Sequence, residues 1–136
     1  RLGRIFNGSL AIREVDAGSC NGCEIEITAL SNPVYDSERF GIHFVASPRH
    51  ADLLLVTGPI TANMRDAVLK TYEAIPSPRL VIAVGACAIS GSPFEGSDTL
   101  DRRFLERFEP TLDLPGCPTH PLTFISGILD LLGIES

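Results

Sequence analysis

Four cysteines, Cys20, Cys23, Cys87 and Cys117, are the residues of this chain whose type and spacing could do chemistry. Each sits in a run of small or constrained residues: Gly18-Ser-Cys-Asn-Gly-Cys23, Gly85-Ala-Cys-Ala88 and Pro115-Gly-Cys-Pro118. Glycine lets the backbone come close to a neighbour and adopt unusual dihedrals. Backbone N–H groups can then point at sulfur, as the cradle of a sulfur-rich, negatively charged object requires. Four thiolates can hold a [4Fe–4S] cluster or a Cys₄ zinc, and four cysteines can also form two disulfides. Disulfides suit small secreted chains. A structural zinc usually takes two short Cys pairs. Here only Cys20 and Cys23 form a short pair, and the other two follow 64 and 94 residues after Cys23.

The elements that must position these residues read as alternating strands and helices. Residues 10–15 alternate like a strand, and 23–31 read as a helix with Ile25, Ile27 and Leu30 as its apolar positions. Residues 42–46 form a second strand pattern, broken by Ser47-Pro48-Arg49-His50. Residues 52–57 and 79–84 are continuous apolar runs, the pattern of strands buried on both faces of a parallel sheet. Thr61 is placed to cap a helix reaching about Tyr72, and Pro76 and Pro78 close that segment. Residues 88–109 are less periodic: Gly91, Pro93 and Gly96 suggest loop, and Leu100–Phe108 a short helix. A short extended piece at 112–114 and a helix over 121–132, stopped by Gly133, complete the chain.

Strands alternating with helices imply βαβ units. The expected architecture is α/β: a three-layer, flavodoxin-like domain with a mainly parallel sheet, occupying residues 1–136 as a single domain. Each cysteine falls just past a predicted strand end. In a parallel sheet those ends share one edge, where ligands bind. Four remote positions therefore converge at the C-terminal ends of the strands.

Composition narrows the function. The chain has 136 residues, 44% of them hydrophobic and 21% charged, as in an ordinary globular domain. Its net charge of −6 argues against non-specific nucleic-acid binding, which needs a basic face. No apolar run reaches the roughly 18–20 residues that span a bilayer. The first residues, Arg-Leu-Gly-Arg-Ile-Phe, carry neither an initiating Met nor a signal-peptide apolar region, as expected of a trimmed or partly covered chain. No GxGxxG run, Walker A motif or HExxH is present.

The run Ser19-Cys-Asn-Gly-Cys-Glu-Ile-Glu-Ile27 resembles the small subunit of membrane-associated [NiFe] hydrogenases of the formate hydrogenlyase and energy-converting groups. Arg39-Phe-Gly-Ile42, Ser47-Pro-Arg-His-Ala-Asp52, Gly85-Ala-Cys87 and Pro115-Gly-Cys-Pro118 are similar to the same family, and the likeness covers about residues 10–133. That family is homologous to the B subunit of NADH:quinone oxidoreductase. In the latter the first two cysteines typically stand side by side, so the two-residue spacer between Cys20 and Cys23 favours the hydrogenase branch.

The resemblance implies one [4Fe–4S] cluster, the proximal one, ligated by Cys20, Cys23, Cys87 and Cys117. It implies an electron relay between a hydrogenase-like large subunit, which would hold the nickel–iron centre, and a ferredoxin-like iron–sulfur subunit. Membrane subunits would attach indirectly, placing the chain peripherally on the cytoplasmic side of the membrane. A complex-I-like quinone or ferredoxin module without nickel is the alternative.

Glu26, Arg49 and His50 are further candidates, for a proton or interface role. Glu26 stands where relatives with adjacent cysteines also carry a Glu, counted from the second Cys. Glu24 and Glu26 equally suit the start of a helix as solvated carboxylates. Arg49 and His50 equally suit a surface turn. His43 reads as structural, His120 as a neighbour of a helix cap, and Gly58-Pro59-Ile60-Thr61 as a turn or a wall over the site.

Overall fold

The computed structural model describes residues 10–18, 20–76, 80–91, 96–108 and 110–132. Ser19, Pro78, Arg79, Pro93 and Gly133, which figure in the sequence reading, lie outside the described residues. Five strands form one sheet: β1 (Leu10–Asp16), β2 (Ile42–Phe44), β3 (Leu53–Thr57), β4 (Leu80–Val84) and β5 (Leu112–Leu114). Their order is β2-β1-β3-β4-β5, and every pairing is parallel. This is the flavodoxin-like order, with its switch point between β1 and β3.

Among the described residues five helices flank the sheet: α1 (Gly22–Ala29), α2 (Arg65–Ala74), α3 (Ala86–Ser90), α4 (Arg103–Arg107) and α5 (Pro121–Leu132). The central strand β3 is buried throughout. Because side chains alternate along a strand, Leu53 and Leu55 join one core and Leu54 and Val56 the other. The first core includes Phe124, Ile125, Ile128 and Leu129 of α5. The second packs Val68 of α2 against Phe104 and Leu105 of α4. Tyr72, Phe104 and Phe108 tighten it, with ring centroids 4.4–5.4 Å apart. The three layers expected from the strand–helix alternation are present.

Three local readings are corrected. Thr61 does not cap α2, which starts at Arg65 behind Met64 with no side-chain cap. Thr61 instead pairs with Leu100 in an isolated antiparallel bridge. Ile25 does not face the core but is 61% exposed. Residues 86–90, for which the sequence suggests no helix, form α3, a single short helix whose five residues are too few to carry a periodic signal.

Candidate functional site

The carboxyl ends of the strands carry the site. β1 runs into the turn holding Cys20, and Cys23 lies in the first turn of α1. Asn21 starts α1 in the left-handed region at φ 73°, a conformation that Asn tolerates better than most residues. β4 ends at Gly85, and Cys87 follows in α3. β5 ends at Leu114, three residues before Cys117, and the Cys117–Pro118 bond is cis.

Backbone hydrogen bonds stitch these loops together. Gly85 N–H donates to the Leu114 carbonyl and Ala86 N–H to the Gly116 carbonyl, both at 2.8 Å. On the other side, Ala17 N–H donates to the Thr57 carbonyl at 2.8 Å and Thr61 N–H to the Ala17 carbonyl at 3.2 Å.

All four cysteines are free thiols and line one cavity of about 110 Å³, with Gly22, Gly58, Ala86, Gly116 and Pro118. The disulfide reading therefore has no support here. Among the described residues no group of three or more His, Cys, Asp or Glu side chains is arranged to hold one metal ion. The sulfurs surround a space rather than a point. Cys20 and Cys117 are exposed, Cys23 and Cys87 half-buried, so the cavity opens to the surface at one side.

Electrostatics fit a group that neutralises thiolates. Burial pushes the Cys23 thiol up; the Thr119 backbone N–H, hydrogen-bonded to its sulfur, opposes that, while Glu24, Cys20 and Cys87 add to it. Burial likewise raises Cys87, with Cys117 and Cys20 contributing, and the positive charge of Arg102 working the other way. Four sulfurs that repel one another as anions need a cationic centre between them. Close approach is built in at Gly85, whose φ is +90° and where a Cβ would lie 2.7 Å from Cys23 Sγ. A soft, anionic donor set around a small cavity, with a backbone N–H on one sulfur, fits an iron–sulfur cluster.

Glu26 is half-buried and shares a crevice with Ile27, Leu30, Val84, Thr119, Pro121 and Phe124. It thus lies beside Thr119, whose N–H serves Cys23. Arg49 and His50 are exposed in a 3-10 turn capped by Ser47 Oγ, immediately before β3. That is the amino edge of the sheet, opposite the cysteines, and neither lines the cavity. Gly58 does line it, so the turn after β3 is a wall of the site. His120 Nδ1 accepts from Leu122 N–H at 3.0 Å, capping the start of α5, and its ring meets Tyr35 edge-on at 6.3 Å.

Glu24, which the sequence also suits to a solvated helix start, is instead half-buried among carboxylates. Burial, then Asp16, pushes Glu24 up to about 7, against a hydrogen bond with Thr57. Burial also raises Glu14, whose Oε1 accepts from Thr57 Oγ1 at 3.2 Å. Sequence reading also missed Thr119 and Arg102. Neither has a local signature; each acts through a backbone atom, its own or a partner's, on residues distant in the sequence.

An all-parallel, five-stranded α/β domain with four thiols at its switch-point edge is the class that fold and site define. The chain belongs to the family of the NADH ubiquinone oxidoreductase 20 kDa subunit, whose model matches residues 20–131. This is a family of oxidoreductase-complex subunits.

The probable membrane-bound hydrogenase subunit mbhJ of Pyrococcus furiosus is 48% identical over 130 residues, 95% of this chain and 77% of that protein. Formate hydrogenlyase subunit 7 of Escherichia coli is 41% identical over 133 residues, but the chain spans only 49% of that protein. A subunit in the structure of the membrane-bound sulfane sulfur reductase, an archaeal respiratory membrane complex, superimposes with a TM-score of 0.81 at 32% identity. The match covers 97% of this chain and 73% of that one. No helix among the described residues is long and apolar enough to cross a membrane.

Proposed function

We propose that this oxidoreductase subunit carries the proximal [4Fe–4S] cluster of a multi-subunit, [NiFe]-hydrogenase-like complex, in a single domain spanning residues 1–136. One observation carries the reading: four free cysteines from three strand ends line a single cavity. Cys20, Cys23, Cys87 and Cys117 would ligate the four irons.

When bound, the cluster takes up and releases one electron at a time. The chain's own residues do the rest. The glycines let backbone pack against sulfur, and Thr119 N–H stabilises negative charge on the Cys23 sulfur. Ala86, Gly116 and Pro118 wall the cavity and limit water. The chain itself makes and breaks no substrate bond, so it is inactive alone and relays electrons between a large-subunit active site and a ferredoxin-like subunit.

Ile25 and Leu122, 61% and 56% exposed, follow ligating cysteines and offer apolar surface to the large subunit. Glu26, beside Thr119, would take a proton or interface role at that junction. Arg49 and His50, on the far edge of the sheet, would contact another subunit. Attachment to membrane subunits would be indirect, on the cytoplasmic face. The names of the relatives, a membrane-bound hydrogenase subunit and a formate hydrogenlyase subunit, support this assembly.

The second reading, a complex-I-like quinone or ferredoxin module without nickel, is favoured by the family match itself. The two-residue spacer between Cys20 and Cys23 favours the first. Elemental analysis of the complex captured with its native partners, without oxygen, decides. Nickel with abundant iron is expected; iron without nickel selects the module; zinc without iron overturns both.

A further inference from the structure

Arg102 lies in the connection before α4, 15 residues from the nearest cysteine in sequence, and belongs to none of the cysteine motifs. Its guanidinium nonetheless ties two walls of the cavity together. Nη1 donates to the Pro59 carbonyl at 2.8 Å and to the Cys87 carbonyl at 3.2 Å, and Nη2 donates to the Ala88 carbonyl. Pro59 follows Gly58, which lines the cavity, and Cys87 is itself a lining residue.

The segment that delivers Arg102 is anchored on the same turn. Ala62 N–H donates to the Thr99 carbonyl at 2.7 Å, and Asp101 N–H to the Ile60 carbonyl at 2.9 Å. Ile60 is fully buried with φ 62°, a conformation that costs a β-branched residue energy and that the surroundings must enforce. Arg65 and Arg103 hold the Asp101 carboxylate at 3.2 and 2.6 Å.

We propose that Arg102 is a positioning residue for the cluster: its fork fixes the Gly58–Pro59 and Cys87–Ala88 walls, and its charge favours the reduced cluster. The inference rests on the cluster reading above. A rigid planar fork that bonds carbonyls from two nitrogens fixes backbone more firmly than the single, freely rotating ammonium of a lysine. A fixed positive charge beside a ligand favours whichever state of the cluster is more negative, the reduced one, and so raises its potential.

The test is an anaerobic redox titration of the assembled complex, read by electron paramagnetic resonance, with iron counted in the same samples. Wild type, Arg102→Lys and Arg102→Gln are compared. The expected order of midpoint potential is wild type, then lysine, then glutamine. The glutamine variant should fall by a factor of about ten in the reduction equilibrium, about 59 mV for one electron. A glutamine variant with full iron and the wild-type potential overturns the proposal. If that variant does not assemble, the lysine variant decides: a lower potential and an altered resonance signal support the role, and a potential and signal identical to wild type overturn it. A wild-type complex with no more iron than the Cys87→Ala complex overturns the cluster reading, and this inference with it.

Discussion

Gly85 and Cys23, remote in sequence, are in contact across the cavity: a Cβ at position 85 would lie 2.7 Å from Cys23 Sγ. The contact exists because the ends of β1 and β4 share one sheet edge, with β3 between them. It leaves no room for any side chain at 85. The backbone there, at φ +90°, is also one that L-residues rarely adopt.

Gly85→Ala is therefore expected to displace Cys23 and to strain the turn into α3. The complex should retain less than about half its iron on this cluster, because both the steric and the dihedral penalty fall on the site. Iron and sulfide per chain, compared with wild type, check this. Full iron content in the alanine variant would contradict the geometry.

Cys87→Ala and Cys117→Ala should each abolish the normal four-iron signal. Cys87 is half-buried and Cys117 exposed, but both line the cavity with the other two cysteines. Loss of either removes one ligand from a four-ligand set. Resonance spectra of the reduced variants should lack the wild-type signal; its retention would count against the ligand assignment.

Glu14 supplies a pH test of the fold. Burial raises its carboxyl above the ordinary 4.5, against the Thr57 hydrogen bond. A raised carboxylate contributes stability that is fully present below the unfolded value and is lost as pH rises through the folded one. Glu14→Gln removes that loss. The variant should match wild-type Tm near pH 4 and exceed it increasingly as pH rises above 4.5. A difference that shrinks as pH rises would contradict the burial argument.

Much of this was legible in the sequence, for identifiable reasons. The runs at 53–57 and 80–84 are apolar on both faces because β3 and β4 are central strands, and their ends fixed where Cys87 and the Gly58 turn would lie. The small residues around each cysteine marked the close approach that Gly85 now displays. The backbone donor on Cys23 was foreseen as a kind of contact, but not as Thr119, because nothing local marks which amide faces a sulfur across the cavity. Arg102 was invisible for the same reason: it bonds carbonyls, and carbonyls have no sequence signature. Thr61 misled because a hydroxyl before an apolar run suits a bridge to Leu100 as well as a cap.

The central claim is that these four thiols hold one iron–sulfur cluster. It is tested most directly by iron, zinc and acid-labile sulfide per mole of this subunit in the anaerobic complex, after subtracting the clusters of its partners by comparison with the Cys87→Ala complex. The account predicts a difference of four irons and four sulfides, with loss of one reducible resonance signal. A difference of one zinc and no sulfide would contradict it.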